Sequence, residues 1–281
     1  MNTHQPDASG EPRVSALYYY PIKSCGGTRV DTLAVDEGGP RHDRELMIVA
    51  ATTGVFLTQR QLPRMALIIP SLSEGRLRAT APEMPPLEEP VVVDGTRHNT
   101  IIWNKQVESV DQGDRVAAWF SRFLNHAVRV VRKAPGFIRR ADPAFTTIPT
   151  NQVAFADEYP VLLLSQESLA DLNGRLAQPA PMDRFRPNIV LTGGPAPHYE
   201  DTLRRFRLGP VEFSGITPCV RCAVVTVNQE TAQVGKEPLQ TLATYRRSAT
   251  GGVTFGMNLI HHTTGDLSVG DQVVSLPSPL W

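Results

Sequence analysis

Along the first hundred residues, apolar positions come in short β-branched or aromatic runs broken by Gly, Pro, Asp and Thr, the punctuation of antiparallel strands. Val14–Tyr20, Thr28–Val35, Glu45–Val49, Val55–Thr58, Met65–Ile69, Val91–Asp94 and Thr100–Trp103 are the expected strands. Runs this short fit a barrel or sandwich better than a parallel sheet. Ala81–Pro90 holds four prolines and reads as a surface loop. From Asp114 the period turns helical, with Val116, Trp119, Phe120, Phe123 and Leu124 recurring through a stretch free of Gly and Pro. Val128–Val131 reads as a strand. Ala134–Asn151, with three prolines and no period, reads as a crossing loop, which places a domain boundary near residue 134.

The second half mixes both element types. Val161–Leu164 is expected to be a buried strand leading into a helix capped by Ser165, with Leu169, Leu172 and Leu176 on one side. Phe185–Leu191, Val211–Phe213, Cys222–Val227, Val253–Ile260 and Val273–Leu276 read as strands, and Leu239–Arg246 as a helix. The pattern predicts an α+β chain that is mostly β, in two domains, 13–133 and 134–281.

The chain has 281 residues, enough for two cores of ordinary size. Lys+Arg and Asp+Glu balance at 28 each, which removes the usual argument for nucleic acid or an anionic membrane as partner and favours small-molecule chemistry. No apolar run approaches the ~20 residues that span a bilayer, and residues 1–12 lack a hydrophobic signal core, so a cytoplasmic protein is expected. Three cysteines, Cys25, Cys219 and Cys222, an odd and small number for this length, argue against a disulfide framework.

Thr217-Pro-Cys-Val-Arg-Cys222 stands out, with two thiols beside an arginine at the entrance to an expected strand. A C-x-x-C pair reads as half a zinc site, a dithiol couple, or two small buried hydrophobes, and spacing alone ranks the inert reading first. A zinc site lacks the rest of its ligands: no second pair follows, and the adjacent His261 and His262 would face opposite sides of a strand. A dithiol couple wants the motif to open a helix, whereas Ala223–Val227 is strongly β-branched. One activated thiolate beside the Arg221 guanidinium remains, a soft donor for a thiophilic metal. Tyr20-Pro-Ile-Lys-Ser-Cys-Gly-Gly27 forms a second cluster, a small-residue loop with an ammonium and a hydroxyl that an anion could approach, though a plain turn is the commoner role. A third group is Arg44, Arg60, Arg184 and Arg186, placed near strand ends in both halves. These arginines could converge on one polyanion, or pair with neighbours such as Asp43.

Tyr20-Pro-Ile-Lys-Ser-Cys25, Asp43-Arg44, Thr58-Gln-Arg-Gln61, Phe185-Arg-Pro-Asn188, Pro218-Cys-Val-Arg-Cys222, Glu237-Pro-Leu239 and Val269-Gly-Asp271, in this order, resemble the MOSC proteins with an amino-terminal β-barrel region. Their relatives are the bacterial YcbX-type proteins and the mitochondrial amidoxime reducing component. The resemblance implies an N-terminal β-barrel region followed by a MOSC β-barrel domain with peripheral helices. It implies molybdenum on a single molybdopterin, ligated by Cys222, with cofactor contacts at Lys23, Ser24, Arg44, Arg186, Asn188, Val220, Arg221 and Asn258. The implied reaction is reduction of small N-hydroxylated compounds: amidoximes, hydroxylamines and N-hydroxylated bases. Glu158, Tyr159 and Asn258 depart from the residues of the mitochondrial relatives. Some bacterial relatives continue into an iron–sulfur domain; no cysteines follow Cys222 here, so no iron–sulfur cluster is expected. Electrons would then come from a separate ferredoxin-like, flavin or cytochrome partner. The rival readings are a sulfur carrier bearing a persulfide on Cys222 and a module that binds and delivers the cofactor.

Overall fold

Alternation along the strands decides which side of each sheet is covered. The computed structural model describes residues 10–139, 152–249 and 251–277. The first part of the chain forms β1 (Arg13–Tyr19), β2 (Thr28–Val30), β3 (Thr32–Asp36), β4 (Gly39–Pro40), β5 (Leu46–Ala50), β6 (Ile69–Ser73), β7 (Arg76–Thr80), β8 (Leu87–Pro90), β9 (Arg97–Ile102), β10 (Lys105–Asp111), α1 (Asp114–Leu124) and β11 (Val128–Lys133). The second forms β12 (Val161–Ser165), α2 (Gln166–Asn173), β13 (Ile189–Thr192), β14 (Arg205–Leu208), β15 (Val211–Val220), α3 (Leu239–Tyr245), β16 (Thr254–His261), β17 (Gly265–Ser268) and β18 (Val273–Ser275). The fold is mostly β with peripheral helices, as the pattern predicts. No helix among the described residues is long and apolar enough to cross a membrane.

An eight-stranded sheet runs β18-β14-β15-β16-β12-β13-β1-β2, and a four-stranded sheet runs β5-β11-β10-β9. Two three-stranded sheets, β17-β3-β4 and β6-β7-β8, complete the set. The sheets cross the expected boundary near residue 134. β1 pairs antiparallel with β13, and β3 with β17, so the first strands of the chain lie in sheets of the second half. One core, around Leu17, Leu163, Phe206, Phe213 and Leu259, therefore draws on both ends of the sequence. A second core packs α1 on β5 and β11 through Val116, Trp119, Phe120, Phe123 and Leu124. Each such side chain contributes about 1.5–3 kcal/mol on full burial.

Several expectations need correction. Met65–Ile69 is a 3-10 turn over Pro63–Leu67, because Pro63 starts a helical turn that buries Met65 and Ala66; the strand begins only at Ile69. Val91–Asp94 lies outside any strand, whereas β8 occupies the end of the segment read as a loop. Thr28–Val35 breaks at Asp31, and Val55–Thr58 reduces to isolated bridges at Val55 and Phe56. Phe185–Leu191 starts pairing only at Ile189, because Arg186 takes a left-handed conformation (φ 57°) that no strand accommodates. Cys222–Val227 is a 3-10 turn over Ala223–Thr226 instead of a strand. The chain reverses there to set Val225 into a core of Phe185, Leu242 and Phe255, and that burial overrides the β propensity of the valines. Ser165 does cap α2, accepting from Ser168 N, while Leu176 falls beyond its end. Most of the expected crossing loop, and the amino-terminal stretch before Gly10, lie outside the described residues.

Candidate functional site

Two irregularities in β15 carry its end away from the core. Val211 and Phe213 are buried, but the register against β16 shifts between Gly215 and Thr217 and again between Pro218 and Val220. Gly215 permits the first shift, since a Cβ there would lie 2.1 Å from Leu203 O. Thr217–Cys222 thereby become one wall of a cavity of about 1430 Å³. The opposite walls come from the loop after β1, from Arg44, from the tip of the β9–β10 hairpin, and from segments 137–139 and 156–159. The nine residues to which the resemblance assigns the cofactor, Lys23, Ser24, Arg44, Arg186, Asn188, Val220, Arg221, Cys222 and Asn258, line this one cavity, as does Arg60; Arg184, the fourth arginine of the sequence's group, does not, and donates to Val225 O instead.

Its floor is a bonded network around Asp43 and Asn188. Asp43 Oδ1 accepts from Tyr20 N and Asn188 Nδ2, each at 2.9 Å, and its Oδ2 from Arg44 Nη1 at 2.5 Å. Asn188 Oδ1 accepts from Arg44 Nη1 at 3.2 Å and Leu162 N at 3.1 Å, while Nδ2 also donates to Tyr18 O at 3.3 Å. The amide is thus fully engaged within the chain, and Asn188 holds Arg44 and Asp43 in place. The Asp43–Arg44 pairing weighed from the sequence is therefore present, in addition to the convergence on the cavity.

Arg186 is buried and donates from Nη1 to Cys25 O at 2.5 Å; its Nη2 has no partner among the described residues. Arg44 and Arg186 both place the guanidinium carbon 4.3 Å from the Tyr20 ring centroid. Burial, and Arg44 nearby, pull the Arg186 guanidinium down to about 10. It stays charged at neutral pH but is undercompensated, a state that an anion in the cavity would relieve.

Lys23 is also buried, its Nζ donating to Phe155 O at 2.9 Å and Asp157 Oδ1 at 2.5 Å, which leaves one of three N–H groups for the cavity. Burial lowers its pKa, with Asp157 acting against the fall. Asp157 in turn sits below the usual carboxylate range: its desolvation acts upward, but the Lys23 charge and bonds from Lys23 and Trp103 outweigh it.

The loop reading of Tyr20–Gly27 needs revision. Cys25 N and Gly26 N donate to Ile22 O and Ile68 O, so those N–H groups are not free to cradle an anion. Gly26 and Gly27 serve packing, because a Cβ would meet Ile69 Cδ1 or the Tyr20 ring, each at 2.4 Å. Burial pushes the Cys25 thiol up to about 12, which removes it as a ligand. Cys222 is free and exposed, and Cys219 is half-buried. Arg221 turns to Cys219, donating from Nη1 to its Sγ at 3.0 Å and from Nη2 to Phe185 O at 2.6 Å; the expected guanidinium thus engages the first thiol of the pair instead of Cys222.

Sequence reasoning missed Trp103, Asp157 and Arg139. Arg139 donates to the carbonyls of Ala154, Ala156 and Asp157, fixing the segment that carries Asp157. Nothing local marks Asp157. An aromatic residue at a hairpin tip, where turn formers are usual, was a signal for Trp103. Ser24, Arg44, Trp103 and Arg186 all have positive φ, four of the eleven such non-glycine residues described. Such conformations cost about 1–3 kcal/mol each and gather at functional sites. Seven cationic side chains and two carboxylates line the cavity among the described residues, in a chain of zero formal net charge. No group of three or more His, Cys, Asp or Glu side chains that could hold a metal ion occurs among those residues.

The molecule is thus a mostly β protein with a preformed cationic ligand cavity and a free soft donor on its wall. The MOSC N-terminal beta barrel domain matches residues 11–127 and the MOSC domain residues 150–274; the chain belongs to the MOSC family, with the N-terminal barrel domain ahead of the MOSC domain. It is 35% identical over 279 residues to mitochondrial amidoxime reducing component 2 of Rattus norvegicus, covering 92% of this chain and 82% of that protein. It is 32% identical over 280 residues to mitochondrial amidoxime-reducing component 1 of Homo sapiens, covering 94% and 82%. It is also 32% identical over 284 residues to molybdenum cofactor sulfurase of Oryza sativa subsp. japonica, covering 90% of this chain but 33% of that protein.

Proposed function

We propose that this protein binds the molybdenum cofactor in the cavity and reduces small N-hydroxylated compounds, taking electrons from a separate redox protein. What supports the reading most is the meeting of an undercompensated buried guanidinium, Arg186, and an exposed free thiol, Cys222, in one cavity. The residues fit such a group: one soft protein donor suits a metal that brings its own sulfur ligands, and the buried cations suit its anionic tail. Cys222 Sγ would ligate the metal. Arg186 Nη2, the remaining Lys23 N–H and Ser24 would hold the phosphate, with Arg44, itself fixed by Asn188, bonded to the Arg186 carbonyl. Val220 and Arg221 would present the ligand turn, and Asn258 would contact the pterin.

When bound, the group would supply two-electron redox chemistry. The chain supplies the rest. Its floor would meet the cofactor's charge with cations already held in place, Arg44 by Asp43 and Asn188, Lys23 by Asp157 and the Phe155 carbonyl, and Arg186 by the Cys25 carbonyl. Phe137, Ile138, Tyr159 and Val220 give the wall apolar surface, which strengthens charge interactions inside. Reduction of R–NHOH takes two electrons and two protons and releases R–NH2 and water. The cavity's excess of positive charge draws in electron-rich reactants.

The likeness to molybdenum cofactor sulfurase favours a second reading, a persulfide carried on Cys222. Incubating the molybdenum-loaded protein with benzamidoxime and reduced methyl viologen separates the two. The reductase reading expects two electrons consumed per benzamidine formed; binding of molybdenum with no electron uptake would overturn it.

A further inference from the structure

The cavity is larger than one ligand needs. Pockets for single small molecules hold roughly 300–1,000 Å³, and this one holds about 1430 Å³. Its cations lie in two tiers. Lys23 and Arg186 are buried on the floor with Arg44 between them, whereas Arg60 and Lys105 are exposed at the mouth. Neither mouth cation forms an ion pair among the described residues. Arg60 Nε donates to Thr58 Oγ1 at 3.3 Å, and its guanidinium carbon lies 4.9 Å from the Trp103 ring centroid.

Trp103 stands at the tip of the β9–β10 hairpin, where it and Asn104 both take left-handed conformations, with φ of 49° and 63°. A bulky aromatic in that conformation is strained. Its neighbours nevertheless hold it there: the indole Nε1 donates to Asp157 Oδ1 at 2.7 Å, the same oxygen that Lys23 reaches, and Phe56 packs at 4.8 Å between ring centroids. Trp103 as a whole is 43% exposed, and it lines the cavity. An exposed indole anchored by Asp157 and Phe56, with the Arg60 guanidinium over one face and Lys105 in the same lining, neither cation ion-paired among the described residues, suits a flat heterocycle that carries a phosphate.

Resting on the proposed reductase reading, we infer that Trp103, Arg60 and Lys105 form a substrate subsite at the cavity mouth, and that it favours aromatic N-hydroxylated compounds bearing a phosphomonoester, such as N-hydroxylated nucleotides. The base lies against Trp103, and the phosphate takes charge-assisted bonds from Arg60 and Lys105. A neutral amidoxime uses the shelf and leaves both cations unengaged. An acidic protein docking at the same mouth would read the same cations, so the test uses no protein donor.

N-hydroxylated cytidine and its 5′-monophosphate are compared as substrates of the molybdenum-loaded protein with reduced methyl viologen. Cytidine and its monophosphate, which do not react, are titrated calorimetrically against the same protein. The monophosphate is expected to exceed the nucleoside about tenfold in kcat/KM, mostly through KM, since one charge-assisted bond at a partly exposed site is worth about that factor. Arg60→Gln and Lys105→Gln should each bring the ratio toward one, and Trp103→Ala should weaken binding of both nucleoside and nucleotide. A wild-type ratio near one in both assays overturns the subsite, as does a ratio retained in both charge variants. Inorganic phosphate competing as strongly as the nucleotide overturns it too, leaving a bare anion site. Failure to reduce any N-hydroxylated compound would strike the reductase reading instead, and the calorimetric comparison would still decide the subsite.

Discussion

At the floor of the cavity, polar groups are locked to one another: Asp43 accepts from a backbone N–H, an amide and a guanidinium, and all four hydrogen-bonding capacities of Asn188 are filled. At the Cys222 turn the opposite holds. Cys222 and Val220 are exposed, and the nearest guanidinium bonds Cys219. The difference teaches how one site divides its tasks. Charge that must be held still in a low dielectric needs a complete bonding network, because each unpaired buried group is costly. A thiol proposed as a donor for an incoming group has to be accessible and uncommitted, and Cys222 is both free and exposed.

The two regions should part most widely where activity and stability are measured on the same variant. Cys222→Ala should lower benzamidoxime reduction by about a thousandfold or more, on the scale of losing a group that acts directly in the chemistry. The same change should leave thermal unfolding within about 0.5 kcal/mol, since an exposed side chain supports little of the fold. A large fall in Tm would mean that the turn is structural after all. Asn188→Ala should do the reverse first, destabilising by about 3 kcal/mol in urea titration, because it strips partners from the Leu162 N–H and the Tyr18 carbonyl in a buried network.

Arg186→Met tests whether the undercompensated cation serves the fold. In cofactor-free protein it should cost about 1 kcal/mol or less, since an apolar side chain of similar length replaces a charge that burial already disfavours. A loss as large as that of Asn188→Ala would make Arg186 a structural residue. The smallest expected effect concerns pH. Burial lowers the His198, His261 and His262 imidazoles from their usual 6.5. As pH falls below 6.5 the unfolded chain binds protons before the folded one does, so stability should decline through that window and stay level above it. His261→Gln should flatten the decline measured by unfolding at a series of pH values.

Much of this was legible in the residues. α1 and the Ser165 cap follow from period and capping chemistry, both local. The motifs around Lys23, Arg44, Arg186 and Cys222 pointed to one anion site, and those side chains do line one cavity. What sequence could not give was non-local. β1 pairs with β13 from the second half, with Ser15 Oγ donating to Val190 O across 175 residues, and that pairing brings the end of β1 and the loop after it to Asn188. The Cys222 turn was misread because its valines carry β propensity, whereas burial of Val225 decides its course. Lys105–Asp111 was overlooked as a strand because charged residues on its open face break the apolar run. Asp157 had no local signal, since only the fold sets it between Lys23 and Trp103.

In the proposed function, one thiol on an exposed turn holds a metal whose anionic scaffold the buried cations anchor. Elemental analysis for molybdenum, with pterin assayed in parallel, tests it directly on wild-type and Cys222→Ala protein from a host that makes the cofactor. The account expects about one molybdenum and one pterin per wild-type chain, with the metal lost from a variant that still folds. Equal metal in both proteins, or none in either, would contradict it.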